Sequence, residues 1–139
     1  MALDLSSLKK SLNSYGSALS VANKNLSGPV DKDLEQVIKA GVIQNFEFTF
    51  ELCWKFMKRW LEKSIGESVT IGLSKKELFR AAAENKIITD VEDWFTYNEA
   101  RNMTAQAYDR DTADDVYKIA LKFYIVAKDF LYTLEQKND

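Results

Sequence analysis

The stretch ARNMTAQAYDR, Ala100–Arg110, sets Arg101, Asn102, Thr104, Gln106 and Tyr108 close together in the chain. Each could contribute to a polar binding site. A guanidinium grips a phosphate or carboxylate through two parallel hydrogen bonds. Carboxamides and a phenol both donate and accept. Helix geometry limits how these groups combine. At about 100° per residue, Asn98, Arg101, Ala105 and Tyr108 fall near one face, whereas Gln106 lies about 140° around from Arg101. Arg101 and Gln106 therefore meet only if the helix ends or distorts between them, or if a second copy of the chain supplies one of the two. The competing reading pairs Arg101 with Glu99, Asp93 or another carboxylate and packs Tyr108 as an amphipathic edge of the core.

The chain has no histidine. That removes the imidazole general base, the Ser-His-Asp and Cys-His nucleophile pairs, and any His-ligated metal. Neither a metal nor a cofactor is expected. A carboxylate-only site stays chemically open. The five glycines, Gly16, Gly28, Gly41, Gly66 and Gly72, are dispersed, so no glycine-rich phosphate loop exists. With 19 basic and 21 acidic residues the net charge is −2, and contact with a polyanion or a membrane would have to be local. One local candidate is Lys55, Lys58, Arg59 and Lys63, at helical spacing. It reads either as a phosphate- or acid-binding surface or as a solvated face crossed by pairs such as Glu51 with Lys55, with Glu62 nearby. The lone Cys53 cannot form an intramolecular disulfide and reads as a small core hydrophobe. The opening MALDLSSLKK lacks a basic-then-apolar secretory pattern. A cytoplasmic setting is expected.

Positioning these groups falls to helices. The 139 residues suit one domain, 1–139, able to bury a core without staples. Leu8, Leu12, Tyr15, Leu19 and Ala22 form an apolar stripe from about Leu5 to Asn25, ended by Ser27-Gly28-Pro29. A long second helix is expected from about Asp31, its N-cap, to Ile65. Its aromatic residues Phe46, Phe48, Phe50, Trp54, Phe56 and Trp60 outnumber what one stripe absorbs, which predicts wrapping by several helices and cover from a second subunit. Gly16 and Gly41 inside helical patterns suggest close helix crossings. A loop follows, with SVTI extended. Capping boxes are read at Ser74–Glu77 and Thr89–Glu92, and a further cap at Thr112, opening the third, fourth and fifth helices. The fold class is all-α: an up-and-down antiparallel bundle of four to five helices.

Two segments together, QNFEFTFELCWKFMKRWL (Gln44–Leu61) and ARNMTAQAYD (Ala100–Asp109), with Trp94 before the second, resemble the substrate-binding subunit family of minimal nucleotidyltransferases, within the HEPN superfamily. The signature rests on Phe46, Glu47, Glu51, Trp54 and Lys55, then Arg101 and Asn102. The resemblance implies a helical bundle that forms homodimers and pairs, as a heterotetramer, with a separately encoded small nucleotidyltransferase, often in a toxin-antitoxin couple. It further implies an arginine and a histidine for metal-independent RNA cleavage, and a tyrosine that can receive AMP. Those positions map to Arg101, Gln106 and Tyr108. A glutamine takes up no proton near neutral pH, so the site suits holding better than cutting. The expectation is a non-catalytic binding subunit with a substrate or nucleotide cleft at Asn98, Arg101, Asn102, Gln106 and Tyr108, and Tyr108 as a possible modification site. The alternative is a degenerate HEPN-type RNase toxin, with Glu99 or another carboxylate as base, inhibited by nucleotidylation at Tyr108.

Overall fold

The computed structural model describes residues 2–138. It is an all-α bundle: α1 (Ser6–Asn25), α2 (Lys32–Ser64), α3 (Lys75–Glu84), α4 (Val91–Met103) and α5 (Arg110–Lys137), with short 3-10 turns at Glu67–Thr70 and Thr104–Gln106. No strand occurs among the described residues. The long α2 is the centre, packed by α1, α3, α4 and α5.

Caps explain most boundaries. Asp31 accepts from the Leu34 amide at 3.2 Å and opens α2 as the sequence suggests. At α3 the box is reciprocal, with Glu77 N donating to Ser74 Oγ (3.2 Å) and Ser74 N to Glu77 Oε1 (3.0 Å). Two expected caps are replaced. α4 opens from Asp90, in the left-handed region at φ 45° and without a side-chain cap, so Thr89–Glu92 forms no box. α5 starts at Arg110 because Asp109 accepts from both the amide and the hydroxyl of Thr112, at 3.1 and 3.0 Å. Thr112 is thus inside the first turn rather than before it. SVTI is also not extended. A lone strand would leave its amides without ladder partners, whereas here Val69 N reaches Gly66 O and Ile71 N reaches Ser68 O.

The core is aromatic. Phe46, Phe50, Phe79, Trp94 and Phe123 are buried. Phe123 meets Phe46 and Trp94 edge-on, with centroids 5.3 and 5.4 Å apart. Tyr15, fully buried, donates its hydroxyl to the Ala120 carbonyl and ties α1 to α5. Burial, followed by the nearby Cys53 and Tyr97, pushes the Tyr15 phenol far above its ordinary pKa. Gly16 is a close crossing: a Cβ there would sit 2.7 Å from the Tyr124 hydroxyl. Gly41 is not, since a Cβ there meets nothing within 4 Å, and the expected crossing is absent within this chain. The aromatic excess divides accordingly, with Phe46, Phe50 and Phe56 inside, Trp54 and Trp60 half-buried, and Phe48 54% exposed. Among the described residues no helix is long and apolar enough to cross a membrane.

Candidate functional site

The α-helical path of α4 stops between Arg101 and Gln106. Thr104 Oγ1 lies 2.8 Å from the Arg101 carbonyl, a back-bond that competes with helix continuation, and a 3-10 turn follows. Arg101, on the last turn, reaches across to α2. Its Nε donates to Glu51 Oε1 at 3.0 Å, and its Nη1 pairs with Glu47 Oε2 at 3.1 Å. Glu47 and Glu51 stand one turn apart on α2, and the guanidinium bridges them. Thr104 Oγ1 lies 3.0 Å from the same Glu47 oxygen. The second oxygen of Glu51 accepts from Trp54 Nε1 at 3.0 Å, while Lys75 stands 3.9 Å from its first. Two carboxylates thus face two cations, and the cluster is neutral. The side chains of Arg101, Glu47 and Glu51 are 27 to 34% exposed, so water screens the cluster only partly. The partners of Arg101 are therefore neither Glu99 nor Asp93, which share its own helix, but residues of the FE and E..WK signature on another.

None of the other four residues read as a cleft bonds to Arg101. Asn98 carries a buried amide oxygen without a partner among the described residues. Asn102 and Gln106 are exposed, and Tyr108 is 85% exposed. A cleft of about 890 Å³ does lie alongside, between the first half of α2, the Thr104–Tyr108 connection and the start of α5. Of the five, Tyr108 alone lines it, together with Glu47 and Thr104. Its floor is small or apolar: Val37, Ala40, Gly41, Ala107 and Ala113.

Polar groups that the sequence reading missed frame this cleft. Lys39 Nζ is held by Glu35 at 2.9 Å and Asp114 at 3.0 Å, and lies 5.3 Å from the Tyr117 ring. Burial pulls the Lys39 pKa down, but the hydrogen bonds and charges of Glu35 and Asp114 outweigh it, and the net shift is upward. With its carboxamide turned to suit its neighbours, Gln36 accepts from Arg110 Nε and Nη2 at 2.9 and 2.8 Å. Only the Glu35–Lys39 spacing was visible as a helical pair; Asp114 and Arg110 arrive from a distant segment. Among the described residues no group of three or more Cys, Asp or Glu is placed to hold a metal.

The geometry explains why the two signature segments occur together: one provides the carboxylates and the other the arginine. Residues 3–136 match the family model described as "Nucleotidyltransferase substrate binding protein like". The chain belongs to this family. Among curated relatives of this nucleotidyltransferase substrate-binding family member, "Probable ribonuclease HepT" of Haemophilus influenzae is 35% identical over 106 residues, covering 76% of this chain and 73% of that protein. A solved Haemophilus influenzae structure, described as the fold of a substrate binding domain of a nucleotidyltransferase, superposes with a TM-score of 0.86 at 29% identity, covering 95% of this chain and 99% of that one. A Thermus thermophilus structure shares the fold, with a TM-score of 0.71 at 22% identity over 91% of this chain and 98% of that one.

Proposed function

We propose that the protein is a non-catalytic binding subunit that forms a homodimer and docks a separately encoded minimal nucleotidyltransferase. In this reading the cleft beside Tyr108 holds the nucleotide or the group to be modified. The observation that carries it is the state of Arg101. Its guanidinium is closed into a cluster with Glu47 and Glu51, Gln106 is exposed and makes no bond to it, and the chain has no histidine to move a proton. Such a site positions groups better than it cleaves bonds.

The outer face of α2 supports the dimer. Leu34, Val37, Gly41, Gln44 and Phe48 recur at alternating spacings of about three and four, the pattern of a helix-packing seam; Val37, Gly41 and Gln44 also line the cleft, so in this reading the second copy closes one side of it. Leu34, Val37 and Phe48 are exposed at 46, 69 and 54%. An antiparallel pair of α2 helices crossing at Gly41 would set Leu34 of one copy against Phe48 of the other. Phe48→Glu is expected to convert the dimer to monomer in light scattering while leaving the helical circular dichroism intact. Co-expression with a minimal nucleotidyltransferase and size-exclusion chromatography tests the pairing. A complex at micromolar concentration is expected, and none at that concentration would overturn it.

The relative named a probable ribonuclease favours a second reading, a degenerate RNase in which Arg101 stabilises the developing phosphorane charge and a neighbouring carboxylate serves as base. It requires metal-independent RNA cleavage that is lost in Arg101→Ala. Intact RNA across about pH 5 to 9, the range in which a carboxylate or amine acts as acid or base, removes it.

A further inference from the structure

A solvated face is neutral when neighbouring carboxylates pair with its cations. Among the described residues, none of the carboxylates neighbouring Lys55, Lys58, Arg59 and Lys63 forms an ion pair with these cations. Glu51 is taken by Arg101, Trp54 and Lys75, and Glu62 accepts from the Thr70 hydroxyl at 2.6 Å. Glu77 is taken by the capping box of α3. Hydrogen bonds from Ser74 hold its carboxyl below the ordinary range, with a smaller pull from Arg80. Lys55, Lys58, Arg59 and Lys63 form no ion pair among the described residues, nor do Lys76 and Arg80 on α3. All six are exposed.

These cations are concentrated. Leaving out Lys75, which pairs with Glu51, the chain from Lys55 to Arg80 carries six cations and three carboxylates, a local +3 within a net charge of −2. Other unpaired lysines, such as Lys10, Lys24, Lys118 and Lys122, are scattered over α1 and α5. On α2 the four cations fall within an arc of about 140° and about 12 Å of helix axis. That span matches three or four successive phosphates at about 3.4 Å each. The α3 row lies beside it, because Lys55 and Lys75 both approach the Trp54 ring, at 5.8 and 4.9 Å. Lys76 and Arg80 both approach the Phe95 ring, at 5.4 and 5.3 Å.

Two features separate a phosphate partner from an acidic protein. The tract is rich in lysine, which protein–protein interfaces avoid. Between Phe48 and Ile65, α2 exposes no large apolar side chain to serve as an anchor. We propose that the outer face of the second half of α2, together with α3, binds a nucleic-acid strand through its phosphodiester backbone, without reading bases. The exposed face of α2 is then divided, apolar before Glu51 and cationic after it, with the Arg101 cluster at the junction. The inference needs neither a transferase partner nor a ligand in the cleft beside Tyr108, so it stands or falls separately from the proposed function.

The test is fluorescence anisotropy of the full chain with a labelled single-stranded oligonucleotide of roughly 20 nucleotides, as RNA and as DNA. Four phosphate contacts at about −0.7 each give a log affinity versus log salt slope of roughly −3, or about fifty-fold weaker binding from about 50 to about 200 mM salt. Combined Lys55→Ala, Lys58→Ala, Arg59→Ala and Lys63→Ala should flatten that slope and abolish binding at about 100 mM salt, with helicity unchanged. Combined Lys10→Ala, Lys24→Ala, Lys118→Ala and Lys122→Ala, which removes the same charge from other faces, should leave it within about two-fold. Lys76→Ala with Arg80→Ala gives a second, independent loss should the quadruple variant fold poorly. Absence of binding at about 20 mM salt overturns the proposal. So does equal loss in the tract and control variants, or equal competition by polyglutamate of matched charge.

Discussion

Arg101→Ala should destabilise the fold, although the side chain lies at the surface of a candidate site. Removing the guanidinium deletes two charge-assisted bonds and leaves Glu47 and Glu51 one turn apart without their shared cation. Partly exposed pairs contribute about 0.2–1 kcal/mol each. Like charges at this helical spacing cost about 0.2–0.5 kcal/mol more. With the side chains about two-thirds shielded, a total near 2 kcal/mol is expected. For 139 residues at about 2.1 cal/mol/K per residue, that lowers Tm by about 7 °C. The assay is thermal or urea unfolding of Arg101→Ala, of Glu47→Gln with Glu51→Gln, and of the triple variant. If the two carboxylates hold Arg101, Arg101→Ala costs little once both are neutral, giving a coupling of about 1 kcal/mol or more. The same pairing requires the coupling to shrink in about 1 M salt, where screening reaches about 3 Å. If the losses simply add, Arg101 is not held by these carboxylates and the argument that it is unavailable for chemistry fails.

Further expectations address other groups. Lys39 has its folded pKa raised above 10.5, so its contribution is fully present below that value and lost as pH rises through the folded pKa; the stability gap between wild type and Lys39→Met should narrow above about pH 10.5 in urea titrations. Cys53 is fully buried and its thiol pKa is driven up by burial, so an aromatic disulfide reagent should leave it untouched in the native protein and label it fully in denaturant. Tyr108→Phe should change stability by less than about 0.5 kcal/mol, because the phenol is almost wholly exposed. If the proposed pairing includes modification there, the same change should abolish nucleotide labelling in intact-mass spectra.

The sequence disclosed the helices through periodicity because each buries one face. Val116, Ala120, Phe123, Ala127, Phe130 and Leu134, at spacings of three and four, form the buried face of α5. Boundaries were less legible where two residues compete to cap: Asp109 prevailed over Thr112, and Asp90 over Thr89, choices that depend on backbone dihedrals no pattern displays. The break between Arg101 and Gln106 was anticipated as a condition for their meeting, yet no bond joins the two side chains. Arg101 instead turns to Glu47 and Glu51, about 50 residues away in sequence, a pairing that only the packing of α4 against α2 creates. The signature residues were recognisable, but their mutual geometry was not.

The setting of Trp54 makes it a built-in optical probe. Its indole N–H is bonded to Glu51, and the ammonium groups of Lys55 and Lys75 lie over or beside its ring, whereas Trp94 is sealed in the core. Indole emission responds to nearby charge, so a ligand that draws either lysine away, or loosens Arg101 from Glu51, would alter the colour or yield of Trp54. The light from Trp94 would stay constant as an internal reference. Native fluorescence, with Trp60→Phe to remove the third indole, can therefore follow occupancy at the junction of the two α2 faces without attaching any dye.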